Sequence, residues 1–171
     1  MWEKYIAYVL GALAVMFMVL TYQAKTRANI LKISLLAGIC WVLYYFFEND
    51  LVSSVVCLIS AVQLVIFILG IKHKWARHIL WLFLSLSLTI VLGLMTFSTW
   101  YNILPIIAGS LVSISTYLKK ESSIRALAFI GLSFWVANGI IGHFWFALLG
   151  DTMSLISIII AYFRLDRKKK T

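Results

Sequence analysis

Asp151 is the one carboxylate that falls inside a long apolar run, in the segment Gly150-Asp151-Thr152-Met153-Ser154. A charge at the centre of a membrane helix costs about 2.5–3.5 kcal/mol on insertion scales, so such an acid needs a cavity or a partner. Four other residues could serve it. Trp41 and Trp135 each carry an indole N–H that wants an acceptor when buried. Asn138 follows Trp135 by one helical turn in Phe134-Trp135-Val136-Ala137-Asn138, and Cys57 offers a thiol. Counting ~1.5 Å per residue from the turns at Glu48-Asn49-Asp50 and Gly142-His143 puts Trp41, Cys57, Trp135 and Asp151 at one depth, roughly 10 Å. Trp41, Cys57, Trp135, Asn138 and Asp151 are therefore the candidate binding residues for a small polar solute. Asp151 could also take up a proton or hold a cation. The plainer alternative is interhelical packing, with Asp151 bonded to Asn138 or Trp135.

Other chemistries find no support. His73, His78 and His143 are scattered, and no His/Cys/Asp set has metal-ligand spacing. One buried acid is too few for an intramembrane hydrolase, which needs a convergent set. No enzyme, metal or cofactor is expected. Cys40 and Cys57 both lie in apolar runs and are expected reduced and packed. The net charge of +9 does not point to nucleic acid, because the basic residues form short runs between apolar stretches rather than an aromatic-interleaved groove.

The elements that must hold these residues are membrane helices. Hydrophobic residues make up 63% of the 171 and charged ones 12%, with mean hydropathy +0.99. A soluble domain carries roughly 25% charged residues, so lipid is the solvent that fits. Seven apolar runs follow: Tyr5–Tyr22, Leu31–Phe47, Leu51–Gly70, Ile79–Phe97, Tyr101–Leu118, Ala126–Ile141 and Phe144–Phe163. The first exceeds the ~7–15-residue core of a secretion signal and is expected to span. Backbone groups in hydrocarbon must pair internally, so each run predicts a helix. Trp2, Trp100 and Trp145 at one boundary, and Trp75 and Trp81 at the other, form an aromatic belt.

Of 15 basic residues, all but Lys4 fall on one side: Lys25, Arg27 and Lys32; Lys72, Lys74 and Arg77; Lys119, Lys120 and Arg125; and the tail Arg164, Arg167, Lys168, Lys169 and Lys170. Basic loops stay in the cytoplasm, which predicts an external N-terminus and a cytoplasmic C-terminus.

A spacing of 94 residues relates the two ends of the chain. It pairs Lys25 with Lys119, Ile30 with Ile124, Trp41 with Trp135, Val42 with Val136, Ser60 with Ser154 and Lys74 with Lys168. Helix boundaries and basic loops follow the same offset. The expected fold is all-α and polytopic: seven transmembrane helices as two parallel three-helix repeats, 1–74 and 99–171, joined by a linker helix within 75–98, a 3+1+3 arrangement. Ser85, Thr89 and Gly93 on the linker, and Ser53, Cys57 and Ala61 on the third helix, are small residues at four-residue spacing that let helices approach closely.

On the Phe-Trp-Val-Ala-Asn and Gly-Asp-Thr-Met segments the chain resembles the bacterial inner-membrane family called YgjV, over nearly its whole length. More distantly, Cys40-Trp41-Val42-Leu43-Tyr44 through Asp50-Leu51 resembles the half-SWEET transporters, and the second half, with Trp135 and Asn138, is similar to the nicotinamide riboside carriers called PnuC. The half-SWEET likeness aligns a pocket tryptophan with Trp41 and Trp135, and a pocket asparagine with Cys57 and Asp151. Tyr22-Gln23 and Thr116-Tyr117 stand where PQ-loop proteins have Pro-Gln. The resemblance implies a multi-pass protein of the bacterial inner membrane that moves a small solute by alternating access, with proton coupling open at Asp151. A structural or regulatory protein that keeps the fold but carries nothing is the alternative. Lipid is the expected partner.

Overall fold

The computed structural model describes residues 2–166, apart from the Glu3 side chain; the tail residues Arg167, Lys168, Lys169 and Lys170 lie outside the described part. Among the described residues seven α-helices form: α1 Trp2–Gln23, α2 Arg27–Phe47, α3 Leu51–Leu69, α4 Leu80–Met95, α5 Ile103–Tyr117, α6 Glu121–Ile141 and α7 Trp145–Ala161. No strand occurs among the described residues. Five of the helical segments (those of α1, α2, α3, α6 and α7) are long and apolar enough to cross a membrane, whereas α4 and α5 have 16 and 15 residues.

Local chemistry explains the ends. Thr26 has an extended backbone and caps α2 by accepting a hydrogen bond from the Asn29 N–H. Asp50 does the same for α3 through the Ser53 N–H. The fifth apolar run starts in a different geometry. Thr99 and Asn102 form a reciprocal capping box that closes a 3-10 turn, Trp100–Asn102, ahead of α5. Pro105 then falls in the first turn of α5, where its missing N–H leaves no hydrogen bond unmade. At its other end, α6 begins five residues earlier than Ala126, because Arg125 is not a loop residue; it lies inside the helix and is buried.

The core is largely apolar, but polar groups are interspersed in it and the outer surface is apolar as well. Buried positions hold Thr21, Ser53, Gln63, Thr89, Ser113, Asn138 and Ser157, while Val9, Leu58, Leu84, Val91, Ile130 and Ile156 are exposed. Apolar side chains facing outward fit a hydrocarbon solvent, and inward hydroxyls and amides fit interhelical bonding. The helices close into a ring in the order α1, α2, α3, α5, α6, α7, with α7 returning to α1. Helix α4 stands outside it, packed on α3 and α5. Ser85, Thr89 and Gly93 of α4 are all buried. A Cβ on Gly93 would come within 2.7 Å of Ile106, and one on Gly109 within 2.2 Å of Val56, so both contacts require glycine.

Candidate functional site

The ring surrounds a cavity of about 90 Å³, lined from all six ring helices and not from α4. One water needs about 10–15 Å³ of such space, so there is room for several. Trp41, Cys57, Trp135 and Asp151 all line it, as expected from their common depth. Gly150 lets Asp151 into this position: a Cβ there would meet Val15 at 2.8 Å and the Trp41 ring at 3.0 Å.

The lining repeats the 94-residue spacing. Met18 and Val112, Tyr22 and Thr116, Ile30 and Ile124, Ser34 and Ala128, Gly38 and Leu132, Trp41 and Trp135, and Cys57 and Asp151 all contribute from both ends of the chain.

Asn138 departs from the expectation and does not line the cavity. It lies one turn beyond Trp135, fully buried, and its amide N–H donates to the Ser53 hydroxyl at 3.5 Å. Ser53 in turn donates to the Asp50 carboxylate. The three form a chain of hydrogen bonds between α6 and the start of α3, near the Glu48 turn. Burial pushes the Asp50 carboxyl above its ordinary range, and the two hydrogen bonds from Ser53 oppose that shift.

Tyr45 was not among the expected residues, although it stands one turn after Trp41. It lines the cavity and stacks on Trp135, with ring centroids 5.6 Å apart and planes 26° from parallel. Trp41 lies at 5.9 Å from Tyr45, and Phe144 meets it edge-on at 5.6 Å. Three of the four aromatic side chains that line the cavity, Trp41, Tyr45 and Trp135, are therefore contiguous. Among the described residues, neither the Trp41 nor the Trp135 indole N–H has an acceptor, in contrast to Trp81, which donates to the Trp75 carbonyl.

At the basic end of the ring two arginines reach across it. Arg27, at the start of α2, donates to the carbonyls of Leu118 at 3.0 Å and Thr116 at 3.2 Å, at the end of α5. Arg125, near the start of α6, donates to the carbonyls of Tyr22 at 3.2 Å and Ala24 at 3.0 Å, at the end of α1. The acceptors correspond: Tyr22 and Thr116, and Ala24 and Leu118, are each 94 residues apart. Arg125 is also paired with Asp166 at 2.7 Å. In hydropathy alone both arginines read as loop charges, and nothing local marks them as clasps.

No curated protein and no solved structure matches the chain. Helices long and apolar enough to cross a membrane and an apolar outer surface agree with what a family comparison gives: by a match over residues 5–169, this chain belongs to the bacterial inner membrane protein family Imp-YgjV.

Proposed function

We propose that the protein carries a small solute across the inner membrane through the cavity inside the ring, as two parallel three-helix repeats (α1–α3 and α5–α7, with α4 as linker) rock against each other. The observation that carries this is the cavity lining, which draws on residues 94 apart from both halves. Equivalent positions converging on one shared cavity are what an internal repeat with a site at its interface would produce. The reciprocal clasps of Arg27 and Arg125 add support. Each ties one half to the other at the same end, so together they act as a gate there. The basic residues favour an orientation with that end in the cytoplasm and the Glu48 turn outside.

Cys57 tests this without knowledge of the solute. With Cys40→Ser as background, small membrane-impermeant thiol reagents should modify Cys57 from either face of native membranes, because alternating access wets the cavity from both. Reaction only after unfolding would overturn the proposal.

A structural or regulatory protein of the same fold is favoured by one observation. The cavity, at about 90 Å³, is smaller than the ~300 Å³ at which ligand pockets usually begin. The same labelling experiment separates the two, since a closed core would protect Cys57 from both faces.

A further inference from the structure

We infer that the cavity takes a small monovalent organic cation, held between the Asp151 carboxylate and the faces of Trp41, Tyr45 and Trp135. This rests on the cavity being a solute site and names the class of solute.

The first observation is a missing partner. Asp151 is 4% exposed and lines the cavity, yet among the described residues it has no hydrogen-bond donor to its side chain and no basic group within ion-pair distance. The other acids with little exposure are treated differently. Asp50 accepts two hydrogen bonds from Ser53, and the partly buried Asp166 is paired with Arg125. A buried charge is ordinarily paired or bound to a cation. Among the described residues no lysine, arginine or histidine lines the cavity, so a positive charge that pairs with Asp151 there comes from outside them.

The second observation is what surrounds the acid. Three contiguous π faces line the same space, and such faces attract ammonium and guanidinium groups by about 0.5–2 kcal/mol each. They do not suit an alkali or divalent ion, which needs several oxygen ligands. Among the described residues no group of three or more His, Cys, Asp or Glu could hold a metal. The position 94 residues before Asp151 is Cys57, so the site offers one carboxyl group and not two. The available volume limits the cation to a few heavy atoms.

The test uses the full-length protein purified in lipid nanodiscs, with methylammonium and tetramethylammonium chloride as probes against equal concentrations of sodium chloride, sodium acetate and the uncharged tert-butanol. The expected result is a saturable rise in melting temperature with at least one ammonium ion only. That rise should vanish in Asp151→Asn, and the apparent Kd should weaken about tenfold in Trp135→Leu. Protection of Cys57 is a second measurement with Asp151 intact. In Cys40→Ser protein the effective ammonium ion should slow alkylation of Cys57 by an uncharged maleimide. If neither ammonium ion stabilises or protects while acetate or tert-butanol does, the cation assignment falls and the solute site stands. An ammonium effect that persists in folded Asp151→Asn also overturns it. If no probe has any effect and Cys57 is sealed from both faces of the membrane, the solute site itself falls. If Asp151→Asn fails to fold, protection of Cys57 decides the matter: protection supports the cation, and its absence overturns it.

Discussion

Asn49 and His143, 94 residues apart, are the two described non-glycine residues with left-handed backbones, at φ 60° and 58°. Each ends a helix in the same way. The Asp50 N–H donates to the Tyr45 carbonyl, and the Phe144 N–H to the Gly139 carbonyl, both at 3.0 Å. These are Schellman closures, and Asn and His are among the residues that tolerate this φ best. The turn after α2 and the turn after α6 are one structure built twice from unlike side chains. Glycine at either position should keep or slightly raise stability. Valine should cost roughly 1–2 kcal/mol at each site, since a β-branched side chain is strained there. Unfolding of the purified protein in detergent should give nearly equal losses for Asn49→Val and His143→Val.

The clasps should differ in strength although they share a design. Arg125→Met strands the Asp166 carboxylate and two carbonyls in a buried setting, and should cost about 3–5 kcal/mol. Adding Asp166→Asn should recover part of that loss. Arg27 is half-buried and has no acidic partner among the described residues, so Arg27→Met should cost roughly 1–2 kcal/mol. Labelling in inverted vesicles gives a second readout. Either variant should raise the rate at Cys57 from the basic end, which simple destabilisation would not confine to one face.

Gly150→Ala should destabilise by about 1–3 kcal/mol, because the new methyl group meets Val15 and the Trp41 ring closer than van der Waals distance. It displaces the indole beside Asp151, so any solute bound there should weaken as well. Gly38→Ala makes a useful contrast. Its nearest neighbour would be Ala61 at 3.7 Å, an ordinary contact, and its stability should stay close to that of the natural protein.

Asp50 should make stability fall as pH rises. Its carboxyl holds a proton to higher pH when folded than when unfolded, because burial outweighs the hydrogen bonds from Ser53. The folded state therefore binds more protons between the two values. The contribution is fully present below the unfolded pKa, about 3.9, and is lost as pH passes the folded one. Asp50→Asn keeps an N-cap and removes the titration. Its unfolding free energy should be flatter than the natural protein's from about pH 4 upward.

Seven helices, their approximate ends and their need for lipid were legible in the residues, since hydropathy and turn chemistry act over a few neighbours. So was the convergence of Trp41, Cys57, Trp135 and Asp151, because depth along a helix follows from counting residues from a turn. Which face a side chain shows depends on what packs there. Asn138 shares a helix with Trp135, yet it bonds to Ser53 because α3 passes beside it. Tyr45 meets Trp135 across the ring and belongs to a different half of the chain. Arg27 and Arg125 have the composition of loop charges. Only the closing of six helices into a ring brings them to carbonyls about ninety to a hundred residues away. Those pairings depend on how closely the helices approach, at contacts such as Gly109 against Val56 and Gly150 against Trp41. Interhelical distance of this kind is set by many side chains packing at once, so no single stretch of sequence encodes it.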